Sequence, residues 1–250
     1  MQKRSKREND ILNERYLRQL RVKGWSQIEL ENSSVLIAGI GGLGSITSMY
    51  LTAAGVGRLV LCDPGVVERQ HLNRQVLYTE VSLGALKAEV ARARLSALNP
   101  DVEIEIYAES ITAENIRKIA NKCDIIIDGL DNQAARLIVN GHCVKKEIPY
   151  IYGAVNGWEG IIGVFKHPET ACLACVSSPR KRFIDSASAP VAGAAAAAIG
   201  SFQTSEALKI LMGMESCLSG KLLIVDTKCM KFDTINVEKN KECPVCSKHG

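Results

Sequence analysis

The chain has 250 residues, 46% of them hydrophobic and 23% charged, which suits one large folded domain or a domain with a small appendage and excludes disorder as the main state. Its formal charge of +4 and 5% aromatic content are too slight for a dedicated nucleic-acid binder. The basic cluster Lys3-Arg4-Ser5-Lys6-Arg7 reads as a solvated leader rather than a binding arm. No apolar run in the first 30 residues suggests a signal peptide, and Ala189 to Gly200 falls short of the roughly 18 residues that cross a bilayer. The expectation is a cytoplasmic protein with no membrane partner.

In chain order, Asn9 to Leu30 carries Leu12, Tyr16, Leu17 and Leu20 at helical spacing and predicts an amphipathic helix, an N-terminal arm over residues 1–30. Ser34 to Ile40 is a buried strand ending in glycines, followed by a helix from about Gly42 to Ala54. A second buried strand, Arg58 to Asp63, leads through a loop (64–82) into a helix (Ala85 to Leu98) and a strand (Glu103 to Ala108). A helix near 112–121 precedes the strand Asp124 to Asp128. This alternation predicts an α/β fold, a Rossmann-like parallel sheet with helices on both faces. It occupies residues 31–150, the nucleotide-binding half.

After about residue 149 the rhythm changes. Strands are predicted at Tyr150 to Ala154 and Ile161 to Phe165, then a loop (168–190), a helix from about Val191 to Met212, and strands at Lys221 to Asp226 and Asp233 to Val237. Residues 151–250 form the expected substrate-binding half, which extends the sheet by antiparallel strands and carries a crossover loop and a polar, cysteine-containing tail. The alanine-rich run reads as tight helix packing.

Gly39-Ile-Gly-Gly-Leu-Gly44 lies between a strand and a helix. Gly39, Gly41, Gly42 and Gly44 permit a sharp turn and let phosphate approach the helix N-terminus. Asp63 ends the next strand nineteen residues beyond Gly44, where an acid accepts ribose hydroxyls. The turn by itself fits NAD as well as ATP. His71-Leu-Asn73-Arg74-Gln75 follows the acid, Lys87 opens the next helix, and Asp131-Asn132 follows the fourth strand with Arg136 a helical turn further on. All fall at C-terminal strand ends, the crevice side of an open α/β sheet. Two cations beside a nucleotide suit a triphosphate, and Asp131 could hold magnesium.

Nine cysteines, an odd number with no sign of secretion, argue for reduced thiols. Cys172-Leu-Ala-Cys175 and Cys243-Pro-Val-Cys246 are two CxxC knuckles, and four thiolates make a closed, structural zinc site. The other five cysteines are read as buried thiols.

The set resembles the ThiF/MoeB/HesA family, bacterial and archaeal relatives of ubiquitin-activating E1 enzymes. The matching stretches are Arg15-Tyr-Leu-Arg-Gln19, the glycine turn, Asp63, Leu72-Asn-Arg-Gln75, Gly84-x-x-Lys87, Asp131-Asn132, Gly157 to Gly163 and Ile199-Gly-Ser-x-Gln203. The resemblance covers residues 9 to 247 and implies a single E1-like domain. In such enzymes a carboxylate attacks the α-phosphate of Mg-ATP, giving an acyl-adenylate and pyrophosphate. It implies that Asp63 holds the ribose, Gly42 approaches the phosphates, Arg74 and Lys87 stabilise developing charge, and Asp131 binds Mg2+ or orients the reacting groups, with Asn132 beside it. Arg18 would reach the triphosphate from a partner protomer, implying a homodimer. It also agrees with structural Zn2+ on the four cysteines.

The resemblance implies an adenylyltransferase acting on the C-terminal Gly-Gly of a ubiquitin-like sulfur-carrier protein. The alternatives are a small-molecule carboxylate, as in iron-guanylylpyridinol synthesis, and a catalytically silent E1-like partner. The chain departs from the family pattern in three places. No cysteine lies between Ser177 and Ser216, with Ser186 near the expected position; Gly65 stands where a second acid is common; and His71 replaces an asparagine. Without that thiol, the reaction is expected to stop at the acyl-adenylate or to pass it to a thiol on another protein.

Overall fold

The computed structural model describes residues 14–176 and 189–248. Eight strands form one continuous sheet in the order β3-β2-β1-β4-β5-β6-β7-β8. The strands are β1 (Ser34–Ala38), β2 (Arg58–Cys62), β3 (Glu103–Tyr107), β4 (Ile125–Asp128), β5 (Tyr150–Asn156), β6 (Glu159–Phe165), β7 (Lys221–Asp226) and β8 (Lys231–Asn236). β1 to β5 pair in parallel, whereas β5-β6, β6-β7 and β7-β8 pair antiparallel. The change of pairing falls where the sequence rhythm changes, and the sheet runs unbroken through it.

The helices are α1 (Gln27–Glu31), α2 (Gly42–Ala54), α3 (Lys87–Leu98), α4 (Ile116–Ile119), α5 (Gln133–Lys146) and α6 (Gly193–Leu211). Successive strand residues point to opposite faces, and both faces are covered over β1, β2 and β4, whereas β8 at the edge is exposed along its length. Val35, Ile37, Leu59, Leu61, Ile125 and Ile127 pack with Leu51, Ala88, Leu95 and Ala207 of α2, α3 and α6. Leu36, Val60 and Ile126 pack with Ile116, Ile119, Val139 and Cys143 of α4 and α5. The Rossmann-like sheet with an antiparallel extension is therefore as the sequence predicts. Among the described residues no helix is long and apolar enough to cross a membrane.

The N-terminal arm differs from its expectation. Residues 9–13 of the expected helix lie outside the described residues; from residue 14 the single helix gives way to helical residues 14–16, a 3₁₀ turn at Gln19–Arg21 and then α1, with Gly24 at φ +84° between the last two. Leu17 and Leu20, whose spacing suggested the helix, are exposed; the buried residue is Tyr16. Its hydroxyl accepts a hydrogen bond from Asn99 Nδ2 at 2.9 Å, and Gln19 Nε2 donates to Ala54 O at 2.9 Å. The arm thus straps the C-terminal end of α2, satisfying carbonyls that the helix cannot. The segment predicted as helix near 112–121 forms only α4, because Thr112 and Asn115 bond each other locally: Asn115 Oδ1 accepts from the Thr112 N–H at 2.8 Å.

The alanine-rich run packs as expected. Ala195 and Ala196 are fully buried, and a β-carbon at Gly42 would lie 3.3 Å from that of Ala196. α6 therefore lies close against the start of α2. The reading of five buried thiols is corrected in part: Cys62, Cys123 and Cys143 are buried, but Cys217 and Cys229 are exposed. Both sit in connections beside β7, where no helix covers them.

Candidate active site and cysteine cluster

A cleft of about 560 Å³ opens at the C-terminal ends of the parallel strands. It brings together Gly39, Gly41, Gly42, Asp63, His71, Arg74, Gln75, Lys87, Asp131 and Asn132 from five separate stretches of sequence. The glycine turn is shaped by its neighbour: Gly39 adopts φ +89°, and a β-carbon there would come within 2.5 Å of Gly129 O. Gly44 lies beneath the turn against Gly39 rather than in the cleft, so its part is packing. α2 starts at Gly42, leaving its first N–H groups directed at the space where an anion would sit.

Asp63 is buried and does two jobs before any ligand arrives. Its Oδ2 accepts the Ile40 N–H at 2.7 Å and its Oδ1 the Gly65 N–H at 2.8 Å. Tyr78 donates its hydroxyl to Ile40 O at 2.8 Å, so the peptide groups of the turn are held from both sides. Gly65 leaves room beside this carboxylate: a β-carbon there would be 3.0 Å from Asp63 Oδ1 and 3.4 Å from Lys87 Nζ.

Lys87 is 8% exposed, opens α3 and borders the cleft. Among the described residues its ammonium donates no hydrogen bond and forms no ion pair. A nearly buried cation without a partner is expensive, and an anion in the cleft removes that cost. Arg74 stands opposite, donating to Gln70 O and Asn73 Oδ1, both at 2.9 Å. Asn73 itself is exposed and does not line the cleft, and its Oδ1 holds the Arg74 guanidinium. His71 Nδ1 accepts the Glu68 N–H at 3.1 Å, which leaves the ring proton on Nε2. Burial first, then Lys87 and Arg74, hold the imidazole below its ordinary value, so it is neutral near pH 7. Gln75 Oε1 is buried and has no hydrogen-bond partner among the described residues.

Asn132 caps α5 through Oδ1, which accepts the Ala135 N–H at 2.9 Å, and its Nδ2 donates to Asp131 Oδ1 at 3.2 Å. Arg136 departs from its expected place among the nucleotide ligands. It borders the cleft but is 1% exposed, and its guanidinium is taken up by Asp128, Leu130 O and Gly153 O. Sequence reading missed that partner: Asp128 is a strand-terminal residue among isoleucines, and nothing local marks it as ionic. It missed equally the work of Gln203, buried in α6, whose Nε2 donates to Asp128 O at 2.7 Å and Ile151 O at 3.3 Å. Arg18 is exposed, outside its own chain's cleft.

Cys172, Cys175, Cys243 and Cys246 converge, with all four sulfurs within 4.8 Å of one another and all four residues buried. Neighbouring sulfurs are 3.9 Å (172 to 175), 3.7 Å (172 to 243) and 3.3 Å (175 to 246) apart. Four sulfurs at about 2.3 Å from a tetrahedral ion stand about 3.8 Å apart, so the set fits such an ion with small adjustment. Asn140 braces it, donating from Nδ2 to Cys172 Sγ at 3.6 Å and accepting the Leu173 N–H at 2.8 Å. Ser186 and the surrounding crossover segment lie outside the described residues.

A glycine turn at a helix N-terminus, a buried acid at the end of the next strand and cations in one cleft are the pattern expected of a nucleotide-binding α/β enzyme of the E1-like kind. Comparison with known proteins agrees. The ThiF family matches residues 15–245. A sulfur carrier protein adenylyltransferase from Thermus thermophilus is 38% identical over 244 residues, covering 93% of this chain and 90% of that protein. The SAMP-activating enzyme E1 of Haloferax volcanii is 35% identical, with 90% and 84% covered. Among solved structures, E. coli MccB superimposes with a TM-score of 0.83 over 94% of this chain and 72% of its own, a likeness of fold at 24% identity. The chain belongs to the ThiF family and is an E1-like adenylyltransferase.

Proposed function

We propose that the protein activates the C-terminal Gly-Gly carboxylate of a small ubiquitin-like sulfur-carrier protein by adenylation. The observation that carries the reading is Lys87, a nearly buried ammonium with no hydrogen bond or ion pair among the described residues, in the same cleft as Arg74 and the glycine turn. A carboxylate oxygen attacks the α-phosphorus of ATP, forming the acyl–phosphate bond as the bond to the β-phosphate bridging oxygen breaks. The electron pair leaves on pyrophosphate. Positioning and charge stabilisation suffice, and no general base is needed.

In this scheme Asp63 accepts from the ribose, the α2 N-terminus and Gly42 receive phosphate, and His71 Nε2–H and the Gln75 amide border the same space. Arg74 and Lys87 neutralise charge on the departing pyrophosphate. Asp131, a hard oxygen ligand on the cleft rim, would hold Mg2+, which supplies charge neutralisation on the triphosphate when bound. Arg18, turned away from its own cleft, would serve the site of a second copy in a homodimer. The four cysteines would hold one structural Zn2+, supported by their spacing and by the absence of an open coordination position. Reduced thiols throughout accord with a cytoplasmic location.

Two relatives named for carrier activation, each covering most of this chain, support the protein substrate. A second reading, a small-molecule or short-peptide carboxylate, is favoured by one feature: the absence of any cysteine between Ser177 and Ser216. The intact set of Asp63, Arg74, Lys87 and Asp131 in one cleft speaks against a catalytically silent partner. ATP–pyrophosphate exchange with magnesium and the host's small Gly-Gly-ending proteins separates these readings. Exchange with one of them establishes carrier activation. No exchange, with ATP still binding, overturns it in favour of a smaller carboxylate.

A further inference from the structure

β4 ends on Asp128, which is fully buried, and Arg136 meets it from the second turn of α5. Asp128 Oδ1 accepts the Leu130 N–H at 2.8 Å, and Oδ2 accepts from Arg136 Nε at 3.0 Å. Arg136 Nη2 then donates to Leu130 O at 2.6 Å and reaches Gly153 O at 3.4 Å, with the guanidinium 5.3 Å from the Tyr152 ring centre. Leu130 is therefore gripped at its N–H by one member of the pair and at its carbonyl by the other. The preceding Gly129 donates to Ala38 O at 2.7 Å and abuts Gly39 of the phosphate turn; the following Asn132 is fixed as a helix cap. Every residue flanking Asp131 is thus tied down, and Asp131 stands between them at the cleft.

A buried ion pair is a poor source of net stability, because desolvation offsets most of the attraction. What this pair supplies is geometry: it converts a four-residue connection into a rigid mount. We infer that the Asp128–Arg136 pair is the positioning device that sets Asp131 relative to the phosphate turn. Neither residue touches the reacting atoms; both act through Leu130. The inference rests on the reading of Asp131 as the cation ligand of the nucleotide complex.

The test uses Mn2+ as probe, its affinity for the protein–ATP complex read by electron paramagnetic resonance, with ATP affinity measured separately in EDTA. Arg136→Lys keeps the charge opposite Asp128 but lacks the fork that also spans Leu130 and Gly153. It is expected to weaken Mn2+ on the order of 10-fold, as loss of supporting contacts does at metal sites, with metal-free ATP affinity unchanged. Asp131→Ala weakens Mn2+ at least as much, and the double variant is no weaker than Asp131→Ala alone. Asp128→Asn, which keeps the shape and an acceptor for Leu130, replaces Arg136→Lys should the latter fail to fold. Unchanged Mn2+ affinity in Arg136→Lys alongside a weakened Asp131→Ala overturns the inference and spares the reading of Asp131. A matching fall in metal-free ATP affinity also overturns it, by making Arg136 a nucleotide contact. No change in Asp131→Ala overturns the Asp131 reading and the inference with it.

Discussion

The nucleotide cleft and the cysteine cluster are built on opposite plans. The cleft's named residues come from five stretches of chain, and among the described residues its nearly buried Lys87 ammonium makes no hydrogen bond or ion pair and an amide oxygen of Gln75 has no hydrogen-bond partner. The cluster draws on two knuckles and turns all four side chains toward one another, with no face open to a reactant. One region carries polar groups that a ligand in the cleft would satisfy; the other turns four buried sulfurs toward one point, a geometry suited to a structural ion. Unpaired buried charge marks the place where chemistry happens, and mutual satisfaction marks a fastening.

The contrast makes predictions that can fail. Lys87→Ala should lower ATP–pyrophosphate exchange by on the order of 10²–10³-fold while leaving the melting temperature unchanged or higher, because a desolvated charge is removed. A fall in stability instead would mean that Lys87 has a structural partner. Strong chelation, or removal of residues 241–250, should release one zinc ion and lower the melting temperature by about 5–15 °C. A metal-free preparation that melts normally would end the comparison from the other side. Asn140→Ala should weaken zinc about 10–100-fold, measured by competition with a chromogenic chelator. The smallest effect concerns pH. With the folded His71 value lowered by burial and by Lys87, the neutral ring contributes stability that is full above the ordinary imidazole value of about 6.5 and is lost as pH falls through the lowered one. Melting curves from about pH 8 to about pH 5 should therefore fall more steeply for the ligand-free wild type than for His71→Asn.

The parts of this arrangement that were legible in the sequence are those written as short patterns at fixed positions on an element. The glycine turn announces itself because strand, turn and helix are adjacent, and α2 begins at Gly42 and ends at Ala54 as predicted. Asp63 is legible from its place at a strand end, and the two CxxC knuckles from their doubled spacing. The bond from Arg136 to Asp128 was not legible, because the helical offset that brings Arg136 to the cleft also brings it over Asp128, and only the sheet order places Gly153 within reach. Leucine spacing in the arm suggested a helix that Gly24 interrupts, since periodicity is blind to which side has something to pack against. Cys217 and Cys229 are exposed for a similar reason: composition says that thiols are usually buried, and coverage by neighbouring elements decides whether they are.

Helix α5 joins the two contrasted regions. Asn132, Arg136, Asn140 and Val144 recur every fourth residue, so they share a stripe along the rod. The first two hold the Asp131 connection, Asn140 braces Cys172, and Val144 packs into the cysteine cluster. From Arg136 to Val144 the rod rises about 12 Å, stiff over that length. The cysteine cluster at its far end therefore anchors the same rod whose near end carries the Asp131 connection.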